Sequence, residues 1–244
     1  MKPFGFPIHG AVDGYSRKVL WLEVVRSNNS PHTPARLFFD TVKEVKGCPL
    51  LLRTDCGTEN GMMAAMQCYF RSDGTDALAG EKSHKYGTST KNQRIENWWS
   101  HFRKMRSNWW INFFKDMSSS GILDLDNELQ KECLWFCFHA VLNDDLQKVK
   151  DTWNTHHIRL SRHDCVSGSP DVLYHLPERS GGVDCLQTVL NDKITEMEQQ
   201  HEVSDDENEY QEYFHYVMGN DGLQYPSSPE ESFDVFQHLI RVSA

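Results

Sequence analysis

Two acidic residues of this chain stand in settings that favour chemistry over folding. Asp55 ends an apolar run and is followed at once by the loop residues Cys56 and Gly57. Forty residues separate it from Glu96, which lies in a basic, aromatic segment. Carboxylate oxygens are the ligands that Mg²⁺ prefers, and paired divalent ions can drive phosphodiester transfer. The pair therefore indicates a site for Mg²⁺ or Mn²⁺. A turn cap at Asp55 and an ordinary helix glutamate at Glu96 are the alternatives.

Strands and helices alternate around the first of these acids. Residues 7–13 and 18–25 are rich in β-branched and aromatic side chains and predict two antiparallel strands joined by a hairpin. An amphipathic helix follows over 35–45, then a short strand over 49–54 and a helix over 61–70. This alternation predicts an α/β sandwich. Asp55 would project from the carboxyl end of its strand, where open α/β sheets usually hold ligands.

The second acid belongs to a long predicted helix. Residues 92–113 contain no Gly or Pro, and their apolar residues form a stripe at helical spacing, with Glu96 beside that stripe. Residues 82–115 carry eight basic side chains against the single acid Glu96. Such local positive charge suits a phosphate backbone, although a solvated helix face is the alternative. The predicted phosphate contacts are Lys91, Arg94, Arg103 and Lys104.

The overall charge is distributed unevenly along the chain. The formal net charge is −10, but residues 192–244 hold 13 acids against Lys193 and Arg241. Helical patterns over 129–142 and 146–153 predict a helical annex. We therefore predict a core over 1–118, an annex over 119–190 and an acidic, partly disordered tail over 191–244, whose aromatic segment 210–217 could be a docking peptide.

Several classes of protein are disfavoured by composition. No apolar stretch approaches the roughly 20 residues of a membrane span, and no signal peptide is recognisable, so an intracellular protein is expected. The seven cysteines follow no regular framework and are predicted to be reduced. Cys133, Cys137 and His139 lie in an apolar run that is predicted to be buried rather than zinc-binding.

Three segments of the sequence resemble a known family: IHGAVDGYSR at 8–17, LRTDCGTENG at 52–61 and YGTSTKNQRIENWW at 86–99. Together they resemble the integrase core domain family of the retroviral integrase superfamily, in its transposon-derived eukaryotic branch. Similarity at 153–159, 169–178 and 210–217 extends the resemblance over most of the chain.

The resemblance implies a ribonuclease H-like mixed sheet flanked by helices, with DNA cleavage and strand transfer that use Mg²⁺ or Mn²⁺. Asp55 and Glu96 would be the last two of three catalytic acids. DNA would be the partner, a homo-oligomer is an open alternative, and a nuclear location follows if DNA is bound.

The chain departs from the family at the first catalytic aspartate. In the family this aspartate stands on a strand that precedes the segment matching residues 8–17. We expect the chain to be truncated there and to lack the first strand. Asp13 precedes Gly14, where an aspartate usually shapes a turn, and its role as a substitute ligand is left open. Two functions remain: a metal-dependent transferase of impaired activity, or a domesticated, non-catalytic remnant that binds DNA or a protein.

Overall fold

The computed structural model describes residues 1–87, 92–160, 166–200 and 208–243. No helix within these ranges is long and apolar enough to cross a membrane. The strands are β1 Ile8–Val12, β2 Val19–Val24, β3 Gly47–Pro49, β4 Leu52–Thr54, β5 His84–Tyr86 and β6 Leu186–Thr188. The helices are α1 His32–Val45, α2 Gly61–Phe70, α3 Gln93–Phe102, α4 Asn108–Ser119, α5 Glu128–Thr155, α6 Pro170–His175, α7 Asn191–Gln200, α8 Glu209–Asn220 and α9 Pro229–Ser243.

Within the described ranges the strands pair in three two-stranded sheets. β1 and β2 form the predicted antiparallel hairpin, β3 pairs with β6 antiparallel, and β4 pairs with β5 parallel. The strand predicted over 49–54 is divided between β3 and β4, because Pro49 has no N–H to continue a ladder and ends β3. The mixed α/β class is confirmed, and the single ribonuclease H-like sheet stays a prediction.

β2 is the strand that both hydrophobic cores share. Leu22 and Val24 belong to the first core, which α3, α4, α5, α8 and α9 complete. Trp21 and Val25 belong to the second core, built from α1, α2 and α7. Successive residues of a strand point to opposite faces, so β2 is covered by helices on both sides.

Side-chain amides of α5 cover the outer edge of β2. The Asn154 side chain accepts from the Val19 N–H at 2.8 Å and donates to the carbonyl of the same residue at 2.9 Å. Asn143 Oδ1 accepts from the Val24 N–H at 2.8 Å, and Gln147 donates to a further β2 carbonyl at 3.4 Å. Unpaired strand edges otherwise expose backbone groups, so these amides take the place of a neighbouring strand.

α5 is one continuous helix, although the sequence predicted helical patterns over 129–142 and 146–153. Two of the three polar residues between those patterns, Asn143 and Asp145, have partners outside the helix, and Asp144 is exposed. Asp145 accepts from Arg106 Nε at 2.6 Å and from the Trp110 indole at 2.7 Å, and Asn143 bonds to β2. The helix therefore runs through a polar stretch whose partly buried side chains are paired.

The basic helix predicted over 92–113 is continuous but contains a π-helical turn. α3 passes through the turn Arg103–Ser107 into α4. Trp99 of α3 packs directly against Gly10 of the hairpin. A Cβ at Gly10 would lie only 3.2 Å from the Trp99 ring. Glycine on β1 therefore permits the close approach of α3.

The described parts of residues 191–244 pack onto both cores. α7 buries Met197 in the second core, and Lys193 pairs with Asp73 at 2.8 Å. Phe214 of α8 and Phe236 of α9 are buried against the first core. The aromatic segment 210–217 is thus helical: Phe214 and Val217 are packed within the chain, and Tyr210, Tyr213 and Tyr216 are exposed. The division into core, annex and tail stays a prediction.

A polar cluster centred on Glu132 ties the hairpin to α5 and α8. The Glu132 carboxylate accepts from Arg26 Nη1 at 3.0 and 3.1 Å, from Gln211 Nε2 at 2.8 Å and from Asn208 Nδ2 at 3.1 Å. The Arg26 guanidinium also stacks 4.2 Å from the centre of the Trp135 ring. Three separate segments depend on this one partly buried carboxylate.

We expect Glu132→Ala to lower the free energy of unfolding by about 2 kcal/mol, because it leaves the half-buried Arg26 without its anion. Chemical denaturation measures the loss. Glu128→Ala, on the same helix, is the control: its exposed pair with Lys131 should contribute less than about 1 kcal/mol. Equal effects of the two substitutions would show that the Glu132 cluster contributes no more than a surface pair.

Candidate functional site

Asp55 directly follows β4 and is exposed at the end of that strand. Its Oδ1 accepts a hydrogen bond from Asn60 Nδ2 at 2.5 Å. Asn60 is only 5% exposed and ends the 3₁₀ turn that leads into α2. No backbone N–H of the described residues donates to Asp55, so the carboxylate does not act as a turn cap there. Its second oxygen accepts no hydrogen bond within the same part of the chain.

A second carboxylate lies beside Asp55. Glu59 Oε1 is 3.3 Å from the Asn60 Nδ2 that binds Asp55, so the two acids share one amide. The Glu59 side chain folds over Gly57, where a Cβ would lie 2.0 Å from the carboxylate. Glycine at this position therefore leaves room for the Glu59 carboxylate to lie so close.

Contacts around β5 bring the start of α3 to the same end of β4. Gly87 N–H donates to the Thr54 carbonyl at 2.8 Å, one residue before Asp55. Asn92 lies close to Gly87, because its Oδ1 is 3.0 Å from the position that a Cβ on Gly87 would take. The Glu96 N–H donates a hydrogen bond to the Asn92 carbonyl at 3.2 Å. Glu96 is therefore in the first turn of a helix that begins beside the end of β4.

The metal-binding roles of Asp55 and Glu96 stay predictions. The Glu96 carboxylate is exposed and has no hydrogen bond or ion pair within the described ranges. In that same part of the chain no three His, Cys, Asp or Glu side chains are grouped so that they could hold a metal ion. The structure places the first turn of α3 and Asp55 at one end of the β4–β5 pair without forming a complete ligand set.

His9 lies on β1 within electrostatic range of Asp55. Its Nδ1 accepts from the Trp21 indole N–H at 2.9 Å. Indole nitrogen is a donor only, so the neutral imidazole must carry its hydrogen on Nε2. Burial lowers the pKa of His9 to about 4, against the opposing effect of the Asp55 charge. At neutral pH His9 is thus an uncharged N–H donor, and in this tautomer Nε2 has no lone pair for a metal.

Asp13 has a structural role in the hairpin. Its Oδ2 accepts from the Tyr15 N–H at 3.1 Å, the Ser16 N–H at 2.7 Å and the Ser16 hydroxyl at 2.7 Å. A carboxylate that binds the backbone two and three residues ahead stabilises a tight turn. The prediction that Asp13 shapes this turn is confirmed.

Cys133 and Cys137 are buried in α5, as predicted. Burial raises the pKa of the Cys137 thiol well above its usual range. The His139 ring binds the Asn143 side chain at 3.0 Å and stacks on Trp135. These contacts account for all three residues by packing.

Three of the four predicted phosphate contacts are exposed on the basic helix. Arg94 lies in the first turn of α3, and Arg103 and Lys104 lie in the π-helical turn. Lys91 lies outside the described residues. Arg106, in the same π-helical turn, binds Asp145 and stacks on Trp109 at 4.6 Å. Its charge is therefore already compensated.

The β4–β5 pair adds basic residues that sequence reasoning did not select as phosphate contacts. Arg53 and Lys85 face each other in the strand register, and both are exposed. The next residue of β5, Tyr86, is 54% exposed and pairs with Thr54. Lys85 is one of the eight basic residues counted in 82–115. Its position opposite Arg53 follows from the strand register, which the sequence does not give.

The His9 pKa predicts a pH dependence of stability. The unfolded chain binds a proton at its ordinary pKa of 6.5 and the folded chain only near 4, so stability is lost as pH falls between these values. We expect His9→Gln to remove up to about 2 kcal/mol of this loss, measured by denaturation from pH 7 to 4. The control His101→Gln, at an exposed position of α3, should keep the wild-type profile. An unchanged profile in His9→Gln would contradict the assignment.

Comparison with known proteins gives one match. A family profile described as integrase core domain matches residues 2–175, which is more than half of the 244-residue chain. No curated protein and no solved structure matches the chain significantly. The matched range includes Asp55, Glu96 and the basic helix, and it indicates an integrase- or transposase-like function on DNA. The chain belongs to the integrase core domain family.

Proposed function

We propose that the chain is an integrase-type catalytic core that cleaves and joins DNA phosphodiesters with a divalent metal ion. The observation that carries this proposal is the family match over residues 2–175, a range that contains Asp55 and Glu96. Asp55 and Glu96 would be the metal ligands. DNA as the substrate would also place the protein in the nucleus.

The oxygen atoms at this end of the β4–β5 pair fit a hard cation. One oxygen of Asp55 and both of Glu96 are uncommitted among the described residues. Asn92 Oδ1, one helical turn before Glu96, is buried without a hydrogen-bond partner in the same ranges. Carboxylate and amide oxygens are the donors that Mg²⁺ and Mn²⁺ prefer. His9 contributes no lone pair there, so the donor set is made of oxygen.

Each group has a distinct role in the proposed reaction. A divalent cation bound by Asp55 and Glu96 would activate an oxygen nucleophile and stabilise the leaving oxygen. Arg94, Arg103 and Lys104 would contact the phosphates that flank the scissile bond, which fixes the position of the DNA backbone. Two acids support such a site less well than three, and we therefore propose that the activity is impaired.

A second candidate is a non-catalytic protein that binds DNA through the same surface. The exposed cations favour it, because Arg94, Arg103 and Lys104 on the helix and Lys85 on β5 need no metal to bind phosphate. The two candidates differ in metal dependence. Only the catalytic core requires Asp55 and Glu96 for its function.

Metal binding provides the first test. We expect Mn²⁺ titrated into the purified chain to bind saturably, as measured by isothermal calorimetry. Asp55→Asn and Glu96→Gln should each weaken binding more than about tenfold, because each removes an anionic oxygen ligand. Asp116→Asn, which neutralises an exposed acid of α4, is the control and should bind as the wild type does. Folded protein that binds no Mn²⁺ would contradict the catalytic proposal.

The salt dependence of DNA affinity provides the second test. A duplex bound in excess EDTA should lose affinity as salt rises, and Arg103→Ala and Lys104→Ala should each lower the slope of log K against log salt by about 1. Lys148→Ala, at an exposed lysine of α5, is the matched control. If all four proteins show one slope, the basic helix does not contact phosphate.

A further inference from the structure

We propose that Asn60 is the positioning residue of Asp55: its side-chain amide holds one carboxylate oxygen so that the other faces outward. The inference rests on the proposed function, because it assigns a purpose to the orientation of a metal ligand. Asn60 itself touches neither metal nor DNA in this proposal. It acts only through Asp55.

The donor, Asn60, is buried, and the acceptor, Asp55, is exposed. Asp55 is exposed and follows the strand, so solvent alone would leave its side chain free to rotate. Asn60 is 5% exposed, and its amide nitrogen lies 2.5 Å from Asp55 Oδ1. Hydrogen bonds to a charged acceptor are shorter and stronger than neutral ones. A rigid, buried donor therefore fixes a side chain that would otherwise be mobile.

The Asn60 side chain is not used to cap the helix that it begins. Asn60 ends a 3₁₀ turn and begins α2 with helical dihedral angles, φ −81° and ψ −3°. Its side chain makes no capping hydrogen bond to the helix. The amide instead points back across the turn to Asp55. The helix start thus gains nothing from this side chain, and the contact with Asp55 is its principal polar interaction.

The Asn60 amide nitrogen contacts the carboxylates of both Asp55 and Glu59. Glu59 Oε1 approaches the same nitrogen at 3.3 Å, a longer contact than that of Asp55. Two carboxylates this close repel each other unless a donor lies between them. Asn60 supplies that donor without adding a charge. The Asp55 and Glu59 side chains are therefore held next to each other by one neutral donor.

The experiment compares two buried asparagines of equal exposure. Asn60 and Asn154 are each 5% exposed, but the Asn154 side chain bonds only to the backbone of Val19. We expect Asn60→Ala to weaken Mn²⁺ binding about tenfold, as removal of an outer-shell partner does. Asn154→Ala should lower the melting temperature yet leave the Mn²⁺ affinity of the folded protein unchanged. Equal Mn²⁺ affinity in Asn60→Ala and the wild type would overturn the inference.

A metal-free readout separates this inference from the proposed function. The side-chain amide protons of Asn60 should exchange slowly in the wild type and fast in Asp55→Ala, as seen by ¹⁵N-resolved NMR. If the wild type binds no Mn²⁺, the proposed function fails, and this signal still decides whether Asn60 holds Asp55. If the exchange is the same in both proteins, the positioning role is wrong even where Mn²⁺ binds.

Discussion

The structure depends on how the outer edge of β2 is satisfied. A two-stranded hairpin is marginal by itself, and its second strand would expose a row of backbone donors and acceptors. Asn143, Gln147 and Asn154 of α5 bind that edge along one helix face. Their contacts set the rotation and register of α5 against the hairpin. Because α4, α8 and α9 pack on α5 in turn, the whole first core is positioned by this row of amides.

The candidate site lies outside that rigid part, at the ends of short elements. β4 and β5 have three residues each and pair only with one another in the described structure. Asp55 follows one of these strands, and Glu96 lies in the first turn of α3. What holds them is a set of single contacts, through Gly87, Asn92 and Asn60. Precise ligand geometry on such short elements requires supporting hydrogen bonds, which gives Asn60 its importance.

Periodic patterns in the sequence predicted the elements that periodicity alone determines. The hairpin, α2 and the basic helix follow from alternation and from helical spacing, and α2 has the predicted bounds of 61–70. The continuity of α5 could not be predicted, because Asp145 is tolerated there only through Arg106 and Trp110, which are distant in sequence. The packing of α7, α8 and α9 likewise depends on partners far along the chain. Residue type identified Asp55, but not its buried partner.

One buried polar atom without a hydrogen-bond partner lies at the candidate site, and others, such as Gln67 Oε1 and Ser232 Oγ, lie elsewhere in the described residues. Asp145, Glu132 and Asn154 are partly or fully buried, and each has several partners, as a low-dielectric interior demands. Near the end of β4 this rule is relaxed: Asn92 Oδ1 is buried without a described partner, and Glu96 is uncommitted in the same ranges. Departures from local consistency are expected where function outweighs stability. The uncommitted oxygens of Asp55, Asn92 and Glu96 lie in the region that we propose binds the metal ion.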